Sequence, residues 1–248
     1  MKKCLPGLAF VVCLFSVGVV RAEESNVAKV FRITPVRPVA ELMREALHAE
    51  APVPAPGMRA PDLVDLSGIA SGFRFDVRYA TSRNFLGTPV YSSSHAFMER
   101  PAAEALVRVL AVLRLQGYGL LIFDAYRPWY VTKLFWDATP PDKHNFVANP
   151  EPGSMHNRGC AVDLTLYDLR TGQPVSMPSG YDEMTERAFS DYPGGTAEER
   201  ASREILRKAM VQEGFFPLHD EWWHFDYKDW SLYPVQNVRF EDIGKSRR

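Results

Sequence analysis

The chain has 248 residues, of which 46% are hydrophobic and 24% are charged, and its formal net charge is -1. This composition is ordinary for a globular protein and excludes a disordered, collagen-like or fibrous chain. Because the sequence contains no run of basic residues, we expect no nucleic-acid partner.

Residues 1–22 have the pattern of a secretory signal peptide. Lys2 and Lys3 precede an apolar run over 5–20, and residues 20–22 form an acceptable cleavage site. The alternative is a membrane anchor, but the apolar run of about 16 residues is shorter than the ~20 that cross a bilayer. The pattern therefore predicts a cleaved signal, export to the periplasm, and no membrane span in the mature protein.

Residues 23–61 are predicted to form a lead-in segment. A short helix is expected over 40–51, and the prolines of "APVPAPGMRAP" at 51–61 favour an extended linker. We expect a compact domain, which carries the function, over residues 62–248.

Hydrophobic periodicity predicts strands and helices in this domain. The strands are expected over 73–80, 118–124, 159–169 and 221–227. The helices are expected over 101–116, from residue 128 to about 137, and over 197–214. Because strands and helices do not alternate in a strict rhythm, we predict an α+β fold in which helices flank a small, mostly antiparallel sheet.

Two of these stretches contain candidate metal ligands. In "SMHNRGCAVDL", residues 154–164, His156 precedes a glycine bend and Asp163 lies on the apolar strand beyond it, while His224 lies on the aromatic strand "EWWHFDY". Zinc in hydrolases usually has three His, Asp or Glu ligands and one open position. Each residue alone can also be a hydrogen-bonded core residue, but together they favour one zinc ion in a central cleft.

Glu221 and Arg127 are candidate catalytic residues. Glu221 is three residues before His224, and such residues point to opposite faces of an ideal strand. A turn at the strand entrance must therefore bring Glu221 toward the metal, where it can act as general base. Arg127 follows the strand at 118–124 and can stabilise an oxyanion. A salt bridge between Arg127 and Asp124 is an equally supported alternative.

Cys160 is the cysteine that remains after the predicted cleavage removes Cys4 and Cys13, so we expect no intrachain disulfide. Its thiol is a soft ligand that can compete for zinc. On a strand, however, Cys160 and Asp163 point to opposite faces. We therefore interpret Cys160 as a small buried residue.

Two motifs resemble those of the D-Ala-D-Ala metallopeptidases. Residues 154–163 match the pattern S-x-H-x-x-G-x-A-x-D, and residues 221–224 match E-x-W-H. The stretches "YAT" at 79–81 and "GYGLLIFDAYRP" at 117–128 are similar to the VanX-type zinc D-alanyl-D-alanine dipeptidases within that group. The resemblance extends over about residues 73–234.

The resemblance implies a role for each of the candidate residues. It implies that one zinc ion is bound by His156, Asp163 and His224. It also implies that Glu221 is the catalytic base and that Arg127 stabilises the transition state.

The resemblance further implies a substrate, the small D,D-dipeptide D-Ala-D-Ala, which is hydrolysed to two D-alanines. Tyr79, Ser154 and Asp182 match positions that bind this dipeptide, and a carboxylate suits its free ammonium. Such a carboxylate rejects longer chains, which lack an ammonium next to the scissile bond. For Asp182, a helix N-cap is the alternative. With the predicted export, the resemblance implies a role in cell-wall peptide turnover or recycling.

Two other functions stay open at this point. The first is a D,D-carboxypeptidase or endopeptidase that acts on peptidoglycan stem peptides, because such an enzyme would use the same metal and base. The second is a zinc-binding module without catalysis. Glu221 and Arg127 argue against the second, since a purely structural metal site needs neither residue.

Overall fold

The centre of the protein is a five-stranded mixed sheet. The computed structural model describes residue 1 and residues 30–245. In spatial order, the sheet consists of β2 (Phe73–Phe75), β4 (Tyr118–Asp124), β5 (Ala161–Asp168), β7 (Glu221–Tyr227) and β6 (Phe215–Leu218). Strands β2 and β4 are parallel, and all other neighbours are antiparallel. A second, antiparallel pair joins β1 (Leu63–Asp65) to β3 (Phe97–Glu99).

Helices flank this sheet. Within residues 30–245, the α-helices are α1 (Val39–His48), α2 (Leu66–Ile69), α3 (Arg100–Arg114), α4 (Trp129–Ala138) and α5 (Ala197–Gln212). Helices α3 and α5 pack against each other, and they contact β4 and β5, respectively. The predicted α+β fold with a small, mostly antiparallel sheet is confirmed.

Local sequence explains where the longer elements begin and end. Helix α3 has Pro101 in its first turn, where a missing N–H costs nothing. Helix α5 starts with a capping box, in which Thr196 and Glu199 each accept a hydrogen bond from the other's backbone N–H. The apolar run of β4 is buried from Gly119 to Asp124, as a central strand requires.

The strand predicted over 73–80 is too long. Strand β2 ends after three residues, and Arg78–Ala80 form a 3₁₀ turn. Arg78 Nε donates to Asp76 Oδ2 over 2.8 Å, and this ion pair between residues two apart stabilises the bend. Because of the turn, Tyr79 leaves the sheet and lines the cleft described below.

The helix of the lead-in segment packs onto the rest of the protein. Helix α1 contacts α4 and buries Leu42 and Ala46 completely or almost so. Before this helix, the Ile33 N–H donates to the Phe85 carbonyl oxygen over 3.1 Å. The lead-in segment therefore contacts helix α4 and the loop that contains Phe85, and both contribute residues to the cleft. The domain boundary at residue 62 stays a prediction.

No helix within residues 30–245 is long and apolar enough to cross a bilayer. The predicted signal peptide lies, apart from Met1, outside the residues that the structure describes.

Candidate active site

Strand pairing brings together two of the three candidate metal ligands. In the register of β5 and β7, Asp163 is directly opposite His224. His156 comes from the 3₁₀ turn that precedes β5. This turn ends at Gly159, whose φ of 66° is left-handed, and a Cβ there would lie 2.6 Å from Leu63 Cδ2. The left-handed backbone and the close approach of Leu63 both favour glycine at this position.

The ligand atoms of these three residues converge on one point. His156 Nε2 is 3.2 Å from Asp163 Oδ1 and 3.1 Å from His224 Nδ1, and Asp163 Oδ1 is 3.1 Å from His224 Nδ1. All three side chains are buried. Since zinc binds nitrogen and oxygen ligands at about 2.0–2.2 Å, ligands at tetrahedral angles are separated by roughly 3.3 Å. The donor set and its spacing therefore fit a tetrahedral zinc ion with one open position.

Each ligand residue is oriented by a further contact. His156 Nδ1 donates to the Ala125 carbonyl oxygen over 2.6 Å, and His224 Nε2 donates to Asp226 Oδ1 over 2.8 Å. The Tyr181 hydroxyl donates to Asp163 Oδ2 over 2.9 Å, which leaves Oδ1 to face the ligand cluster. Such outer contacts are typical of metal-binding histidines and carboxylates.

The charges around His224 shift its protonation. Burial lowers the pKa of His224, but Asp226 and then Asp163 outweigh burial, so the pKa is well above its usual range. Because a metal ion binds the neutral imidazole, binding must release this proton.

Glu221 lies at the entrance of β7, as predicted. A register shift between Pro217 and Leu218 lets Glu221 pair with Leu218 and turn toward the ligands. Its Oε2 is 3.7 Å from His224 Nδ1. Burial raises the pKa of Glu221 to about 7, although His224 opposes this shift. A carboxylate with this pKa can take up and release a proton near neutral pH.

Arg127 forms the salt bridge that the sequence left as an alternative, and it also faces the cleft. Its Nε and Nη2 atoms donate to Asp124 Oδ2 over 3.0 and 2.7 Å. The Tyr91 hydroxyl binds the other oxygen of Asp124. Arg127 Nη2 is also 3.9 Å from Asp163 Oδ2. The ion pair therefore fixes the guanidinium beside the metal ligands.

Asp182 has an unpaired carboxylate oxygen. Its backbone φ of 61° is left-handed, and the Tyr79 hydroxyl donates to Oδ1 over 2.9 Å. Oδ2 is buried and has no hydrogen-bond partner in the described part of the chain. Burial, with Asp163 adding to it, raises the pKa of Asp182 well above its usual range. Asp182 is in a turn and caps no helix, so the N-cap alternative is wrong.

The remaining predicted residue, Ser154, has a supporting contact. Its Oγ accepts a hydrogen bond from the His156 N–H over 3.2 Å, and the side chain borders the cleft. The hydroxyl thus holds the turn that carries the first histidine. Cys160, in contrast, is completely buried, as the sequence predicts, and it does not line the cleft.

The cleft between these residues is small. It encloses about 260 Å³, below the roughly 300–1,000 Å³ of pockets for drug-sized ligands. All eight predicted site residues line it, together with an aromatic wall that includes Phe85 and Phe135. Its charged groups are mostly acidic, and among the described residues that line it Arg127 is the only Lys or Arg. The cleft is suited to a divalent cation and a small cationic group.

Comparison with known proteins agrees with this geometry. The model of the D-Ala-D-Ala dipeptidase family, Peptidase_M15, matches residues 59–243. The chain belongs to this family. The resemblance inferred from the sequence motifs is thereby confirmed, as is the prediction that the chain is a metallopeptidase.

Several members of the Peptidase_M15 family are similar to the chain over most of their length. The D-alanyl-D-alanine dipeptidase of Escherichia coli (strain K12) is 33% identical over 72% of this chain and 91% of that protein. The enzymes of the same name from Enterococcus faecium and Enterococcus faecalis (strain ATCC 700802 / V583) are 36% and 37% identical. These matches cover 66% and 71% of this chain, and 90% and 95% of the two enzymes.

Two residues of this Peptidase_M15 site were missed in the sequence. Asp226 and Tyr181 contact the ligand residues. The spacing of Asp226 and His224, two residues apart on one strand, was a usable signal, because such residues share a face. No local pattern indicates the contact of Tyr181, which depends on the path of the loop after β5.

Proposed function

We propose that the chain is a zinc-dependent dipeptidase that hydrolyses D-Ala-D-Ala to two D-alanines. The observation that carries this proposal is the cluster of three ligand atoms, 3.1–3.2 Å apart, with Glu221 at 3.7 Å from one of them. A structural zinc site would have four protein ligands and would need no base. Family membership supports the proposal, since relatives across several bacteria have this name.

Metal binding, proton transfer and oxyanion stabilisation are assigned to different residues of the site. His156, Asp163 and His224 would hold the zinc ion, which polarises the scissile carbonyl and activates water when it is bound. Glu221 takes the proton from the attacking water and then transfers it to the leaving amine. The guanidinium of Arg127, which is fixed by Asp124, stabilises the oxyanion that develops on the carbonyl.

Substrate selection depends on Asp182 and Tyr79, which line the cleft together with the candidate metal ligands. The unpaired Asp182 Oδ2 is suited to the free ammonium of a dipeptide, and the Tyr79 hydroxyl holds the other oxygen in place. A stem peptide has a neutral amide at this position, whose N–H can donate a hydrogen bond but cannot neutralise a buried carboxylate, and a buried charge without a counter-charge is costly. This argument favours the dipeptidase over the D,D-carboxypeptidase or endopeptidase.

Catalysis is tested with Glu221→Gln. The variant is expected to retain zinc and to lose at least about 100-fold in kcat, because general base catalysis contributes about 10²–10⁴. The matched control is Glu213→Gln, which makes the same change in a residue that pairs with Arg108 at the surface. Zinc content and D-Ala-D-Ala turnover are measured on both. Unchanged turnover by Glu221→Gln would contradict its assignment as the base.

Substrate class is tested by offering the wild-type protein D-Ala-D-Ala and, separately, a pentapeptide stem. We expect release of D-alanine from the dipeptide alone. Turnover of the pentapeptide without turnover of the dipeptide would replace the proposed function with that of a carboxypeptidase.

The proposed biological role depends on export. The signal pattern of residues 1–22 supports a periplasmic enzyme, which would recycle or scavenge the dipeptide released by cell-wall turnover. Edman sequencing of the protein isolated from the periplasm of an expressing cell should begin at Glu23. Recovery of the uncleaved chain from the cytoplasm would contradict this role and leave the proposed reaction unaffected.

A further inference from the structure

The two imidazoles of the candidate metal centre are oriented by different kinds of acceptor. His156 donates to a neutral backbone carbonyl, that of Ala125. His224 donates to a carboxylate, that of Asp226, over 2.8 Å. A hydrogen bond to a charged acceptor is roughly twice as strong as one between neutral groups. The second imidazole therefore has a charged hydrogen-bond acceptor, whereas the carboxylate nearest to Nδ1 of the first, Asp124 Oδ2, is 3.8 Å away.

The position of Asp226 follows from strand β7. Residues two apart on a strand point to the same face, so Asp226 lies beside His224 on the face that borders the cleft. In the sheet register, Asp226 is opposite Ala161, whose side chain is a single methyl group. A small residue at this position leaves space for the carboxylate to turn toward the imidazole.

Asp226 has no other charged partner. Among residues 30–245, its ion-pair contact is with His224 alone, and its side chain is only 17% exposed. A largely buried carboxylate without Lys or Arg is costly. A salt bridge to Lys or Arg therefore does not explain why position 226 has a largely buried carboxylate.

We propose that Asp226 is a positioning residue for the metal ion. By accepting the Nε2 proton of His224, it fixes the tautomer in which Nδ1 presents its lone pair to the ligand cluster, and its charge makes the imidazole a stronger electron donor. This inference rests on the metal site of the proposed function. It does not depend on which peptide is the substrate.

The carboxylate of Asp226 is essential to this role. An amide of the same shape can turn its NH2 group toward Nε2 of His224. The imidazole proton would then reside on Nδ1, the atom that must bind the metal, as in other sites where an Asp orients a histidine. The near-isosteric change Asp226→Asn therefore separates this role from simple packing.

The test measures zinc affinity without substrate, by competition of the purified protein with a chelating indicator dye. We expect Asp226→Asn and Asp226→Ala to bind Zn²⁺ about 10–100-fold more weakly than the wild type. The visible absorption bands of the Co²⁺-loaded protein give a second readout, and we expect both variants to change them. The control is Asp229→Asn, which removes one negative charge from a residue that pairs with Arg59. It should bind zinc with wild-type affinity.

Each outcome decides the inference. Weaker zinc binding by folded Asp226 variants, with the control unchanged, supports it, even if the protein cleaves another peptide. Wild-type affinity and an unchanged Co²⁺ spectrum in Asp226→Asn overturn it, and this variant decides alone if Asp226→Ala does not fold. A wild-type protein that binds no zinc overturns both the inference and the proposed metal site.

Discussion

At the scale of single residues, Asp182 combines two unfavourable structural features at a position where we propose that the substrate ammonium binds. Its left-handed backbone and its unpaired carboxylate oxygen both cost stability. Asn is the substitution that keeps the shape, because it tolerates the left-handed conformation better than most residues. The effects of Asp182 on activity and on stability can therefore be separated with one variant.

The activity of Asp182→Asn should fall because Asp182 can release its proton and neutralise an ammonium when the substrate binds, whereas an amide cannot. Hydrogen bonds to charged groups contribute about 1.5–3 kcal/mol, so we expect kcat/KM for D-Ala-D-Ala to decrease about 10- to 100-fold. The control is Asp191→Asn in the neighbouring loop, where the side chain is 75% exposed. Equal kcat/KM for wild type and Asp182→Asn would show that the ammonium binds elsewhere.

The stability of Asp182→Asn should rise, and the gain should depend on pH. Burial raises the pKa of Asp182 above its value in the unfolded chain. The folded wild type therefore holds a proton that the unfolded chain has released, and its stability decreases as pH rises above about 4. Asn does not titrate. Melting temperatures of the metal-free proteins should thus diverge from pH 4 to pH 7, in favour of the variant. A difference that shrinks with pH would contradict this sign.

At the scale of elements, helix α1 of the lead-in segment packs against the domain that contains the candidate site. Helix α1 packs on α4, which carries Phe135 of the aromatic wall. The Val36 N–H also donates to the carbonyl oxygen of Ala138 at the end of α4. Stability of the whole domain should therefore depend on a helix that precedes the region matched by the family model, which begins at residue 59.

The contribution of this helix is measured with Leu42→Ala. Leu42 is 1% exposed, and truncation of a buried leucine costs about 2–5 kcal/mol. We expect the midpoint of urea unfolding to fall accordingly. Leu115→Ala is the matched control, because Leu115 is 91% exposed. If the two variants unfold at the same urea concentration, α1 does not contribute to the stability of the domain.

The bounds of some strands could be predicted from the sequence, whereas those of others could not. Strands β4 and β7 have the predicted bounds, because each is a continuous apolar or aromatic run. Strand β6, "FFPL", was missed, since it is short, half-exposed and contains Pro217. The alternation of apolar and polar residues over 73–80 continues through the 3₁₀ turn, so periodicity alone predicts a strand β2 that is too long.

At the site, the motif residues were predictable because their spacing is local. The contact of Tyr181 with Asp163 was not, because it depends on how distant segments pack.

At the scale of the whole molecule, the candidate metal site joins segments that are far apart in the chain. Its ligands come from the turn before β5, from β5 and from β7. An ion that binds only the folded state stabilises it by RT ln(1 + [L]/Kd). Zinc should therefore contribute to the stability of the sheet as a unit.

Removal of the metal should lower the melting temperature. At free zinc 1,000-fold above Kd, the stabilisation is about 4 kcal/mol, which corresponds to roughly 10 °C in a domain of this size. Scanning calorimetry before and after chelation, with Zn²⁺ and then Mg²⁺ added back, measures the effect. Zn²⁺ should restore the transition, whereas Mg²⁺ should not, since two imidazoles suit zinc better. Identical melting with and without chelator would argue against a metal in this cleft.

The direct opposition of Asp163 and His224 across β5 and β7 also has a kinetic consequence. These residues are 61 positions apart in the chain, so their pairing closes a long loop and belongs to the slower steps of folding. No ion can be captured by both before that loop has closed. Completion of the three-ligand site is then a late event, and a stopped-flow absorbance signal from Co²⁺ bound in this site would time the completion of the native state.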